Sequence, residues 1–212
     1  MAALAAPQLW IVRHGERVDE TASGPVWKAA TPRCRHFDPP LTVDGEAQAR
    51  AAAAALAAAA PAFDRIYASP CARTLATARE LSRSLGDLPV TVVPALAACA
   101  AAVKKRGLSS VPFLPDGAMN ALCPTLENVA DDAPADFGEA CAWLALRQSP
   151  EKPVLVVSHR EGIRDLAGAK LKLPYCAIAA FEGATQTAAD APRVDWDLTK
   201  VLAPTGQVLL AR

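Results

Sequence analysis

Residues 9–20 read LWIVRHGERVDE. Leu9 to Val12 form a short apolar run of the kind that makes a buried strand. Arg13, His14, Gly15, Glu16 and Arg17 follow with no spacer. A strand that ends in two guanidiniums, an imidazole and a carboxylate brings charge to one point, and that charge needs partners elsewhere in the chain. Two later stretches have the same form. FDRIYAS (63–69) alternates apolar residues and runs into PCART, which holds Arg73. PVLVVS (153–158) is the clearest buried strand in the chain and runs into HREGIR, led by His159. Strands paired in parallel carry their carboxyl ends to one edge of the sheet, where ligand sites collect.

Helical patterns separate these strands. LTVDGEAQARAAAAALAAAA reads as a helix from about Thr42 that Pro61 stops, since alanine is the best helix former. Ser69 followed by Pro70 is the signal for a serine N-cap with proline in the first turn. Leu75, Ala78, Leu81 and Leu85 then keep helical spacing up to Gly86. PVTVV (89–93) is a further short strand. Helices are expected over residues 135–148 and 161–170, and PYCAIAAFE, RVDWDL and GQVLL read as a carboxyl-terminal meander of strands. Residues 18–40 hold five of the prolines and glycines and read as a long loop. Residues 94–134 hold four prolines after residue 111 and the basic run Lys104-Lys105-Arg106, and read as an inserted lobe with short helices. The expected fold is α/β: a three-layer sandwich, one mostly parallel sheet with helices on both faces. The 212 residues suit a single domain, 1–212, carrying that lobe.

Composition narrows the function. The 22 basic residues balance the 22 acidic ones, which argues against a general nucleic-acid or anionic-membrane surface. A basic site must therefore be local. Six cysteines include no C-x-x-C pair and the chain has three histidines, so a zinc site is poorly supported. Free, mostly buried thiols in a reducing, cytoplasmic compartment are expected. MAALAAPQLW lacks the pattern of a signal peptide, and the alanine run is too short to span a bilayer.

The three strand ends together supply two imidazoles, at least two guanidiniums and a helix N-terminus. Arginine forks match phosphate oxygens, and helix N-termini favour anions, so a phosphoryl group is the most economical ligand. A neutral imidazole nitrogen is a competent nucleophile, and arginines with a second, protonated histidine would neutralise the transferring group. Such chemistry needs no metal and no cofactor.

These motifs resemble the histidine phosphatase superfamily, also called phosphoglycerate mutase-like. Its Arg-His-Gly turn stands as Arg13-His14-Gly15, its PLT-x-x-G-x-x-QA segment as PLTVDGEAQA (40–49), its SP-x-x-R-T-x-x-TA start as SPCARTLATA (69–78), and its second histidine as His159. The resemblance implies that His14 becomes phosphorylated and that Arg13, Arg73 and His159 complete the pocket. The longer RHGERVDE resembles the protein-phosphatase-like branch, and the Trp-Asn segment typical of mutases is absent. Glu16, Arg17 and Arg160 are candidate substrate-binding groups, with structural pairing the alternative for Glu16 and Arg17. Many family members carry a glutamate general acid near the position of Ala97 or Ala98, yet no carboxylate lies between Asp87 and Asp116. Replacement donors are Asp116, Glu127 and Glu161. The implied activity is a phosphomonoesterase acting on a phosphorylated small molecule or a phosphoprotein. Mutase-like or sugar-phosphate phosphatase activity, or a phosphate-binding relative without turnover, are the alternatives. Arg33, Arg35 and His36 read as loop residues and Arg164 as a helix-surface residue.

Overall fold

The computed structural model describes residues 6–97, 113–130, 132–148, 152–187 and 192–211. One eight-stranded sheet runs through them in the order β4-β3-β2-β5-β1-β6-β7-β8. Its strands are β1 (Gln8–Arg13), β2 (Ile66–Ala68), β3 (Val90–Val92), β4 (Leu126–Val129), β5 (Val154–Ser158), β6 (Ile178–Thr187), β7 (Pro192–Leu202) and β8 (Val208–Ala211). β4, β3, β2, β5 and β1 pair in parallel, and β6, β7 and β8 extend the sheet antiparallel from β1. The α-helices of the described residues are α1 (Gly24–Ala30), α2 (Val43–Ala59), α3 (Ala72–Ser84), α4 (Asp116–Leu122), α5 (Phe137–Arg147) and α6 (Arg160–Ala167).

Alternation along the central strands builds two cores. Trp10, Val12, Leu155 and Val157 face one side with Ala49, Ala52, Leu56, Leu75 and Leu81 from α2 and α3. Leu9, Ile11, Val154 and Val156 face the other with Leu144 of α5 and Ile163 of α6. The period-2 alternation of strand side chains is thus apolar on both faces, the mark of a sheet covered twice. Each fully buried Leu, Ile or Val contributes about 1.5–3 kcal/mol relative to exposure. The three-layer α/β sandwich expected from the sequence is the observed fold.

The helix over 42–61 forms as expected, with the Thr42 hydroxyl accepting the Gly45 N–H at 2.9 Å. The start of α3 differs from expectation. Its N-cap position is Cys71 rather than Ser69, and no side chain of its own caps it. The Ala72 N–H is taken instead by the carboxylate of Asp38, 34 residues earlier, at 2.8 Å. Ser69 is free of capping because its hydroxyl meets His159. In the stretch read as PYCAIAAFE, the strand begins only at Ile178. Cys176 takes a left-handed backbone (φ 53°), so the preceding residues turn toward the site. Of the stretch 94–134, residues 98–112 and 131 lie outside the described residues, and with them Ala98, Cys99 and Lys104-Lys105-Arg106. Its remainder returns α4 and the edge strand β4, paired in parallel with β3, to the main sheet. Among the described residues, Cys34 lies at the surface and Cys71, Cys123, Cys141 and Cys176 are buried. Among the described residues no helix is long and apolar enough to cross a membrane.

Candidate active site

The carboxyl ends of β1, β2 and β5 lie side by side, and each supplies part of one pocket. Arg13 is 8% exposed, His14 4%, Arg73 5% and His159 2%, so four titratable or charged side chains are buried together. The two imidazole rings stand 5.4 Å apart between centroids. Burial of this kind is unfavourable without compensation, which makes this cluster the candidate functional site.

His14 is fixed by its own turn. Its backbone N–H donates to Ser158 O at 3.0 Å, across the β1–β5 pair. Its Nδ1 lies 2.8 Å from Gly15 O. A carbonyl only accepts, so Nδ1 carries the proton and Nε2 keeps its lone pair. The turn needs glycine at two places. A Cβ on Gly15 would fall 2.4 Å from Gly45 O, and one on Gly45 would fall 2.4 Å from Glu16 O. The glycines of the Arg-His-Gly and PLTVDG segments are therefore two sides of one backbone contact. The Gly15 N–H donates to Thr77 Oγ1 at 3.1 Å, which ties the turn to α3.

His159 is set by two partners. Arg73 Nη2 approaches its Nδ1 at 3.2 Å, and Ser69 Oγ its Nε2 at 2.9 Å. Guanidinium only donates, so Nδ1 accepts and Nε2–H donates to Ser69. His159 is thus neutral rather than protonated as the sequence reading expected. Burial, then the Arg73 charge, hold its pKa well below 6.5, with His14, Arg17 and Arg13 acting in the same sense. Burial and Arg73 likewise depress His14, against the opposing pull of the Gly15 carbonyl. Both rings are held neutral by burial and the neighbouring guanidiniums, so His14 Nε2 keeps its lone pair.

The guanidiniums are held at their backs. Arg73 Nη1 donates to Phe37 O at 3.2 Å and to Asp38 Oδ1 at 3.3 Å. Asp38 Oδ2 takes Arg35 Nη2 at 2.9 Å. The side chain of Asp38 is fully buried and serves three donors, two guanidiniums and the first N–H of α3. Arg13 Nη1 donates to Leu173 O at 2.6 Å, and its guanidinium lies 4.0 Å above the ring of Tyr175. Tyr175 also faces His14 at 5.8 Å, and its hydroxyl donates to Glu20. Burial and that acceptor push its pKa up to about 12, so it keeps its proton. The Nε atoms of Arg13 and Arg73 are buried with no partner. Two orphaned donors on buried cations suit an anion with several acceptor oxygens.

The remaining candidates sit as follows. Arg17 grips Asp19 with Nε at 2.7 Å and Nη2 at 2.6 Å, and lies 3.4 Å from Glu20. Glu16 accepts the Thr42 hydroxyl at 2.8 Å, joining the turn to the start of α2. Arg160 pairs with Glu161 at 3.0 Å on the half-exposed start of α6. Burial pushes Glu161 up, but its own backbone N–H, Arg160 and Arg13 outweigh this and hold it below the ordinary carboxylate range. Asp116 is exposed at the start of α4. Glu127 lies 3.5 Å from Arg65, which precedes β2, on the edge strand. Arg164 is not a free surface residue: its Nε and Nη2 donate to Leu171 O at 2.9 and 2.6 Å and hold the loop that carries Tyr175. Among the described residues no group of three His, Cys, Asp or Glu side chains is placed to hold a metal.

Asp38 and Tyr175 were not legible as site residues. Asp38 had one signal, an acid among arginines just before Pro39-Pro40 in RCRHFDPP. Tyr175 had none beyond its place ahead of a strand.

Comparison with known proteins gives the same picture. Residues 9–103 match the family model of the histidine phosphatase superfamily (branch 1). Arg13, His14 and Arg73 fall inside that match, and His159 joins them only through the fold. No protein of curated function matches the chain. Similar solved structures include a mycobacterial hydrolase (19% identity, 91% of this chain and 97% of that one, TM-score 0.54). Another is the ecdysone phosphate phosphatase of Bombix mori with tungstate (17%, 91% and 92%, TM-score 0.54). A third is the protein histidine phosphatase SixA with tungstate (20%, 93% and 97%, TM-score 0.53).

Proposed function

We propose that the chain, whose residues 9–103 match the family model of the histidine phosphatase superfamily, is a member of that superfamily and a metal-independent phosphomonoesterase working through a phosphohistidine at His14. The observation that carries this reading is His14 itself: buried, neutral, its Nδ1 proton engaged by Gly15 O so that the lone pair is on Nε2, and close enough to Arg73 and Arg13 for their charges to depress its pKa.

In the first step Nε2 attacks phosphorus as the ester P–O bond breaks. The Gly15 carbonyl, holding Nδ1–H, favours the imidazolium-like charge that develops on the ring. Arg13 and Arg73 take the equatorial oxygens through the nitrogens they have to spare, and arrive already aimed because Leu173 O, Phe37 O, Asp38 and His159 hold them from behind. A phosphoryl dianion between them offsets the positive charge that depresses His159. In the second step water attacks phosphorus, the P–N bond breaks, and its electron pair returns to Nε2.

The test is hydrolysis of p-nitrophenyl phosphate in EDTA by wild type and His14→Ala, with trapping of an acid-labile phosphoenzyme. Turnover and label that vanish together in a folded His14→Ala protein support the mechanism. Vanadate binding with neither turnover nor label identifies a phosphate-binding relative instead, the reading that the missing glutamate favours.

A further inference from the structure

We propose that Arg164 is a positioning residue for this site, taken as the phosphate pocket described above: it holds the loop that aims the guanidinium of Arg13. Among the described residues, two contacts orient the head of Arg13, and both come from residues 168–176. Nη1 donates to Leu173 O at 2.6 Å, and the ring of Tyr175 lies 4.0 Å from the guanidinium carbon. Arg73 is held from elsewhere, by Phe37 O, Asp38 and His159. The two clamps therefore have separate supports. That of Arg13 is a single stretch with no helix or strand in it.

A stretch without regular structure needs outside contacts to keep one shape. Its residues alternate: Lys170, Lys172 and Pro174 are exposed, Leu171 and Tyr175 are half-buried, and Leu173 is buried. Two of its carbonyls are taken by arginines. Leu173 O accepts from Arg13, and Leu171 O accepts from both Nε and Nη2 of Arg164, at 2.9 and 2.6 Å. Guanidiniums from β1 and from α6 thus grip carbonyls two residues apart. Hydrogen bonds from a charged donor are roughly twice as strong as neutral ones, so the grip of Arg164 is a firm one.

Helix α6 gives that grip a rigid base. Ile163 is fully buried in the core with Leu144. Arg164 stands in the last turn, and Gly168 ends the helix with a left-handed backbone (φ 58°), from which the loop departs. The N-cap position of the same helix is His159. One helix therefore places the second histidine at its start and, through Arg164, the support of Arg13 at its end. Without Arg164 the loop loses its tie to α6, and Leu173 O and Tyr175 no longer hold Arg13 in one orientation. A misplacement of about 1 Å in a group that meets the transferring phosphoryl oxygens costs up to ~10²-fold.

The experiment uses the full chain and two readouts that need no turnover. Vanadate affinity reports on the pocket. The Nε–Hε resonances of Arg13 and Arg73 in a heteronuclear NMR spectrum report on each clamp, assigned from Arg13→Lys and Arg73→Lys. Arg164→Ala is expected to weaken vanadate binding and to lower kcat/KM for p-nitrophenyl phosphate, each by ~10–10²-fold. It is expected to shift or broaden the Arg13 resonance and to leave that of Arg73 in place. Arg164→Lys, which keeps the charge and the stem but not the paired N–H groups, is expected to fall between. Lys172→Ala, exposed on the same loop, is expected to change none of these. Vanadate affinity within about threefold of wild type in Arg164→Ala overturns the proposal, because Arg13 has then kept its aim. Arg13 and Arg73 resonances displaced alike also overturn it, because the fold has then loosened as a whole. If neither Arg164 variant folds by circular dichroism, Arg164 is a folding residue and the assignment falls. A wild type that binds vanadate without turnover or label on His14 overturns the phosphatase reading alone, since affinity and resonances still decide the role of Arg164. A wild type that does not bind vanadate overturns both.

Discussion

The two halves of the sheet differ in what leaves their strand ends. β1, β2 and β5 are parallel neighbours, and their carboxyl ends deliver Arg13-His14, the Ser69–Arg73 segment and His159 to one edge. β6, β7 and β8 pair antiparallel, so alternate ends point to opposite edges. That half contributes Ala177 O, which takes the Arg13 N–H at 2.9 Å, and the turn before β6 that carries Tyr175. Parallel pairing concentrates chemistry because every strand arrives at the edge in the same direction and most leave it through a helix N-terminus. Antiparallel pairing supplies breadth, burial and one supporting loop.

Substitutions in the two halves should therefore separate catalysis from stability. His14→Ala is expected to lower phosphatase kcat by ~10⁴-fold or more, since a nucleophile and its clamps act as a unit. Its thermal midpoint should hold near wild type, measured by circular dichroism. Phe181→Ala, in the core of β6, should do the opposite. It is expected to cost about 3–5 kcal/mol in urea unfolding and leave kcat/KM per folded molecule unchanged. A large kcat effect at Phe181 would break the division.

Asp38→Ala should blur it, because one carboxylate serves both. It strips the Ala72 N–H of its cap and leaves Arg73 and Arg35 without their buried counter-charge. Loss of about 1–3 kcal/mol is expected together with a ~10–10²-fold fall in kcat. Asp38→Asn, which can still accept the Ala72 N–H, should recover stability more than activity.

The pocket also has a pH signature. Both imidazoles have folded pKa values well below 6.5, so under acid conditions the unfolded chain binds protons that the folded chain refuses. Stability is then full above about pH 6.5 and falls as pH drops toward the depressed values, by up to ~1.4 kcal/mol per unit for each ring. Urea unfolding across this window should show the fall in wild type, with His14→Ala and His159→Ala each removing part of it. A flat profile would mean that the rings are not held neutral by burial. The smallest effect is expected at Tyr175→Phe. It loses the bond to Glu20 but keeps the ring over Arg13, so kcat/KM should change less than tenfold, whereas Tyr175→Leu, which loses the ring, should raise KM for phosphate analogues further.

The sequence by itself determined the layered α/β fold, the strands of the parallel half and the positions of Arg13, His14, Arg73 and His159. These are local matters: apolar period, Gly and Pro punctuation, and a polar cluster directly after each strand. The tertiary structure alone decided how those groups are held. Asp38, in a loop, caps a helix 34 residues away because the N–H of Ala72 has no local partner and Ser69 is engaged by His159. The neutrality of His159 follows from burial beside Arg73, and the seat of Tyr175 from a left-handed turn at Cys176. Gly15 and Gly45 needed each other's backbone to explain them. Such pairings join residues far apart in the chain, and a hydrogen bond or a desolvation cost depends on which atoms meet, which no local pattern records.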